Sequence, residues 1–176
     1  GNRVTAEVTE FDDAWVLTSF SRKQWGLIDD QRPSTHPVAG NGAEDAATAL
    51  SNFDGISYTK GAALLKQLAS RVGDEVFFAG VRDHFTRHRF ANATMGDLFA
   101  AWERAGAADL AGWTSSWLRT AGVDRITLDR SAAALVLEPP VGQSAPRDHA
   151  LEVAVHDGAA WRRAPVHLVE RRTALA

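Results

Sequence analysis

At Gly122 the spacing of apolar residues changes period, and that switch restricts the chain to an α+β arrangement. Upstream, hydrophobic side chains recur every three or four residues, the period of a helix with one buried face. Downstream they alternate: Ile126 and Leu128, Leu135 and Leu137, then Leu151, Val153 and Val155. Alternation places every second side chain on one face of a strand. The Asp157-Gly158 pair between Val155 and Trp161 is a hairpin signal, and Val166 and Leu168 finish the return strand. The expectation is about five helices over residues 1–121 and a small antiparallel β unit of about four strands over 122–176, part of a β-sandwich.

Within the helical part, residues 1–10 read as polar and irregular. Phe11, Trp15, Val16 and Phe20 predict a helix to about Trp25, ended by Gly26. Residues 29–50 hold Pro33, Pro37 and Gly40 and predict a long connection. A loop of that length is commonly functional or packed against another element. His36, between Thr35 and Pro37, reads as part of a rigid turn. After Gly73, Phe77, Phe78, Val81 and Phe85 mark a buried stripe. Thr94-x-x-Asp97 matches a capping box. Asp109 caps a last helix carrying Leu110, Trp113, Trp117 and Leu118, which Gly122 stops. Glu170-Arg171-Arg172 runs out without a cap or turn, which predicts an end cut within a longer parent chain.

The most distinctive stretch is Asn52 to Leu65, which holds Tyr58, the only tyrosine in 176 residues. Ile56, Leu64, Leu65, Leu68 and Val72 form a helical stripe, and Asn52 or Asp54 can cap its start by accepting free backbone N–H groups. Tyr58 in the first turn is either a half-buried anchor or a phenol projecting into a cleft. Gly61 leaves room for a second segment to approach.

Composition excludes several function classes. A net charge of −3 gives no basic surface for nucleic acid. No run approaches the ~20 apolar residues that a membrane span requires. The absence of cysteine excludes disulfides and thiolate metal sites and fits a cytoplasmic setting. His84 and His88 share one helix face, but no third ligand accompanies them and Arg82, Arg87 and Arg89 would repel a cation, so no metal site is expected there.

Phe53-Asp54-Gly55-Ile56-Ser57-Tyr58-Thr59-Lys60-Gly61-Ala62 resembles the F-D-x-I-x-Y-x-K-G-A segment of aminopeptidase N-like zinc metallopeptidases, the gluzincin aminopeptidases. Arg22-Lys23-Gln24-Trp25-Gly26 and Pro33-Ser34-Thr35-His36-Pro37-Val38 resemble the family's region after the zinc site. Val72-Gly73-Asp74-Glu75-Val76-Phe77, Phe90-Ala91-Asn92-Ala93-Thr94 and Trp117-Leu118-Arg119-Thr120-Ala121-Gly122 match further on, in order. The resemblance therefore covers nearly the whole chain.

That resemblance implies a zinc-dependent enzyme that removes N-terminal residues from peptides. It implies that Tyr58 matches the tyrosine that donates a hydrogen bond to the developing oxyanion. A phenol suits this because it stays protonated at neutral pH and donates one directed bond. Phe53 matches an aromatic lining the first specificity pocket; as plain sequence it is equally a hydrophobic staple. Lys60 and Gly61 match the family while serving packing and capping. The family's His-Glu-x-x-His finds no counterpart, since none of His36, His84, His88, His149, His156 and His167 precedes a Glu. The implied zinc ligands then lie before Gly1, the partner of this chain is the zinc-bearing half of the catalytic domain, and the chain alone is inactive. The alternative is a non-catalytic helical and β interaction module descended from such an enzyme. The discriminating feature is whether the Tyr58 helix leaves a large apolar face uncovered.

Overall fold

The structure is a computed structural model and describes residues 1–40, 42–156 and 158–175. It is α+β, with helices first and two small antiparallel sheets after residue 124. The chain divides into two compact units.

The first unit holds Gly1–Leu64, Leu118–Val123 and Pro140–Gly142. Residues 2–8 are helical rather than irregular: α1 spans Asn2–Val8, where Thr5 and Thr9 back-bond to the carbonyls four residues earlier. After α2 (Ala14–Leu17), a π-helical turn (Thr18–Arg22) leads into α3 (Lys23–Asp30). Phe11, Val16, Leu17 and Phe20 do not form a buried stripe; they stand exposed, Phe20 at 82 %.

Gly26 does not end the helix but lies inside α3. A Cβ there would stand 2.2 Å from Thr59 Oγ1 and 2.9 Å from the Gly55 carbonyl, so glycine is required by close approach and not by termination. The predicted approach point, Gly61, would meet Val38 only at 3.6 Å, an ordinary contact. The connection after α3 reaches α4 (Ala46–Ser51), whose start Asp45 caps by accepting from Thr48 N–H at 2.7 Å. A second π-helical turn (Ile56–Lys60) runs straight into α5 (Gly61–Val72). Of the expected stripe, Ile56, Leu64 and Leu68 are buried, whereas Leu65 is exposed.

The second unit holds Leu65–Trp117, Asp124–Pro139 and the described residues from Gln143 onward. Helix α6 (Asp74–Arg87) packs on α7 (Met95–Arg104), where Trp102 is buried, stacks on Phe77 and donates its indole N–H to the Phe77 carbonyl at 2.9 Å. Phe85, expected in the buried stripe, is exposed, and so is Met95 in part. The capping box forms as expected: Asp97 Oδ2 accepts from Thr94 N–H at 2.8 Å, and Thr94 Oγ1 accepts from Asp97 N–H at 3.3 Å. Asp109 stands at the start of α8 (Leu110–Trp113) without a side-chain cap bond; a third π-helical turn (Thr114–Leu118) follows.

Five strands follow among the described residues. β1 (Arg125–Asp129), β2 (Ala134–Glu138) and β5 (Arg172–Ala174) make one sheet in the order β1-β2-β5, and β3 (His149–His156) pairs with β4 (Trp161–Leu168). Asp157 of the predicted turn lies outside the described residues; Gly158 has φ +97°. Near the chain end β5 pairs antiparallel with β2, Ala134 opposite Ala174 and Val136 opposite Arg172. Leu135 and Leu137 of β2 share a core with Leu168, and Leu151, Val153 and Val166 close on it. Ile126 and Leu128 of β1 point instead to the exposed side. The buried carboxylate of Asp124 accepts from Arg147 at 3.0 Å and His149 at 3.2 Å, while the Arg147 guanidinium lies over Trp117. Buried charge is tolerated here because each group is hydrogen-bonded.

Candidate functional site around Tyr58

The Tyr58 turn is positioned by three acidic residues, each with a different duty. Asp54 Oδ1 accepts from Ser57 N–H at 2.9 Å, and the Asp54 carbonyl accepts from Tyr58 N–H at 3.1 Å. Asp54, not the Asn52 side chain, is therefore the cap; Asn52 contributes its carbonyl to the Ser57 hydroxyl at 2.9 Å. Asp29, on α3, accepts from Gly55 N–H at 3.0 Å. Asp30, also on α3 and buried, accepts from the Lys60 ammonium at 2.7 Å, the Thr35 hydroxyl at 2.7 Å and Gly122 N–H at 3.1 Å. Lys60 donates also to the Gly122 carbonyl at 3.0 Å. Gly122 can offer both groups inward because it adopts φ +77°, which other residues rarely do.

The turn itself is π-helical, a distortion found mostly as single turns and frequently at functional sites. Tyr58 is 48 % exposed, and among the described residues nothing hydrogen-bonds its hydroxyl. Phe53 is 58 % exposed, and its ring centroid stands 5.5 Å from that of Tyr58 at 59°. This is a staple contact, closing from the residue before the cap onto the first helical turn. Both rings remain about half exposed.

Two titratable groups border the turn. Burial opposes the charge on Asp54, but the Ser57 N–H, the His36 ring and the Ile56 N–H outweigh it and hold the carboxyl below its usual range. Burial likewise pulls His36 down, but the Pro37 carbonyl, Asp54 and the more distant Asp30 together raise it above 6.5. The sequence brings Tyr58, Phe53 and Asp54 forward and reads His36 only as part of a rigid turn; it gives no signal for Asp29 or Asp30, whose partners are remote along the chain.

His84 on α6 and His88, which caps its C-terminal end, hold their ring centroids 5.0 Å apart. Among the described residues, no group of three or more His, Cys, Asp or Glu gathers to hold a metal ion. No described helix is long and apolar enough to cross a membrane.

The family model described as the peptidase family M1 domain matches residues 3–117. Aminopeptidase N of Streptomyces lividans is 38 % identical over 146 residues, covering 82 % of this chain and 17 % of that protein. A probable aminopeptidase 1 of Sulfurisphaera tokodaii is 32 % identical over 143 residues, 68 % of this chain and 18 % of that one. Aminopeptidase A of Gloydius brevicauda is 31 % identical over 175 residues, 83 % of this chain and 18 % of that one. The chain spans less than a fifth of the length of these relatives.

Proposed function

The chain belongs to peptidase family M1, and from that premise we propose that it is the part of an aminopeptidase that supplies the oxyanion donor and one wall of the substrate pocket. Residues 1–121 are read as the helical C-terminal part of the catalytic domain, and 122–176 as part of the following β-sandwich. The parent enzyme removes N-terminal residues from peptides in the cytoplasm. Its zinc is held by residues outside this chain, in the upstream half of the catalytic domain, and supplies electrophilic activation of the scissile carbonyl when bound. The chain alone is inactive.

Tyr58 carries the chemistry that belongs to this chain. Negative charge grows on the carbonyl oxygen as the tetrahedral intermediate forms, and a donor aimed at that position is worth most where it is held in advance. The observation that carries the reading is the free phenol: half exposed, unpaired among the described residues, its backbone N–H held by the Asp54 carbonyl and its turn anchored by Asp29 on Gly55 and by Lys60 on Asp30. Phe53, about half exposed beside it, lines the pocket for the substrate's first side chain.

The uncovered apolar side chains support the segment reading over an independent interaction module. Phe53 and Tyr58 stand exposed side by side at the start of the Tyr58 helix, and Leu65 is exposed further along it. A self-sufficient module would cover a face of that kind. The test is to assay hydrolysis of aminoacyl-amide substrates by the complete protein and by this chain. Turnover by the complete protein only is expected; no turnover by either would leave the interaction module standing.

A further inference from the structure

His36 lies in the connection between α3 and α4 and reaches the base of the Tyr58 turn. Its Nε2 stands 2.8 Å from Asp54 Oδ2, and its Nδ1 stands 2.8 Å from the Pro37 carbonyl. A carboxylate and a carbonyl can only accept, so both ring nitrogens must carry a proton for both bonds to exist. Only the imidazolium satisfies that geometry; a neutral ring would turn a lone pair toward one of the two acceptors.

Asp54 is shared between that imidazolium and the helix start. One oxygen receives His36, the other receives Ser57 N–H at 2.9 Å, and the carbonyl of the same residue receives Tyr58 N–H at 3.1 Å. Rotation of the Asp54 carboxylate would therefore release Ser57 N–H, the cap bond one residue before Tyr58 on the same turn, while the main-chain bond to Tyr58 N–H does not depend on it. The charged groups facing His36 are Asp54 and, farther away, Asp30. Asp30 is already engaged by the Lys60 ammonium, which leaves Asp54 as the direct counter-ion.

We infer that His36 is a positioning residue for Tyr58, its imidazolium clamping Asp54 so that the turn carrying the phenol keeps one orientation. The inference rests on Tyr58 being the oxyanion donor. It makes the pH response of turnover partly a property of a residue that never touches substrate: as His36 loses its proton it can no longer donate to both Asp54 and the Pro37 carbonyl and loses its charge, so the clamp loosens and kcat declines, with KM little affected.

The test compares kcat and KM against pH for the complete enzyme and its His36→Gln, Asp54→Asn and Tyr58→Phe variants. His36→Gln is expected to lower kcat about tenfold to a hundredfold below pH 6.5, the scale of a misplaced catalytic group, and to remove the part of the alkaline decline that follows His36. Asp54→Asn should shift that decline to lower pH. A His36→Gln enzyme with wild-type kcat and an unaltered alkaline limb, alongside a slowed Tyr58→Phe, overturns the inference and leaves the Tyr58 reading intact. A Tyr58→Phe enzyme with unchanged kcat strikes the Tyr58 reading instead. The clamp itself is then judged by NMR on this chain: the Tyr58 ring signals should move as His36 titrates in the wild type and not in Asp54→Asn, and Tyr58 signals indifferent to His36 overturn it.

Discussion

The Lys60 ammonium donates to Asp30 Oδ2 at 2.7 Å, and both side chains are nearly excluded from solvent. This pair, two residues beyond Tyr58, fixes the π-helical turn to the last residue of α3. Taking two charges out of water is costly, and the geometry offsets it because each partner makes further bonds, Lys60 to the Gly122 carbonyl and Asp30 to Thr35 and Gly122.

Removing one partner should therefore be severe. Lys60→Met leaves a buried carboxylate without its cation and is expected to cost about 3–5 kcal/mol in unfolding free energy, measured by urea titration. The Lys60→Met/Asp30→Asn double variant should cost less than the two single variants added together, since the stranded charge is gone.

Gly26→Ala tests the crossing of α3 and the Tyr58 turn. In an open helix interior alanine is favoured over glycine by about 1 kcal/mol. Here the added methyl would meet Thr59 Oγ1 and the Gly55 carbonyl, and backbone cannot move aside cheaply. The sign should reverse, to a loss of about 1–3 kcal/mol. A rise in the denaturation midpoint would contradict the close approach.

The β unit has its own acid-sensitive element. Asp129 accepts from the Ser131 hydroxyl at 2.7 Å, Arg172 at 2.6 Å and the Ala132 N–H at 3.2 Å, which lowers its carboxyl to about 2. A depressed carboxyl stabilises the fold above its unfolded value of 3.8 and ceases to do so as pH falls toward 2. Carbon-13 NMR titration should find that low value, and Arg172→Ala should raise it and loosen β5 from β2.

The His36–Asp54 pair gives stability a window of its own. His36 is raised from 6.5, so its contribution is complete below 6.5 and is lost as pH climbs through the higher folded value. Asp54 is lowered from 3.8, so its contribution is complete above 3.8 and is lost on acidification. The stability difference between wild type and His36→Gln should be largest between those two limits and shrink on either side, as read from melting temperatures across pH.

What the sequence made legible is whatever repeats or sits close along the chain. The switch of period at Gly122, the Thr94–Asp97 box, the β3–β4 alternation and the Ile56–Leu64–Leu68 face are all local patterns, and the fold bears them out. Gly26 misled because a glycine that ends a helix and one that admits a neighbour look alike until the neighbour is known. The partners of Lys60 and His36 are not legible for the same reason: Asp30 and Asp54 lie 30 and 18 residues from them, and polar pairing at that distance leaves no periodic trace. Strand β5 escaped because three residues are too few to show alternation, and its partner Val136 is remote.

The most direct measurement is kcat for Tyr58→Phe in the complete enzyme, with metal content determined on the same sample. The substitution removes one hydroxyl and keeps the ring against Phe53. A fall of about 10²–10³ in kcat, with metal content and KM nearly unchanged, is the result expected for loss of one oxyanion donor. Wild-type turnover in that variant would contradict the account and return Tyr58 to the role of a half-buried anchor.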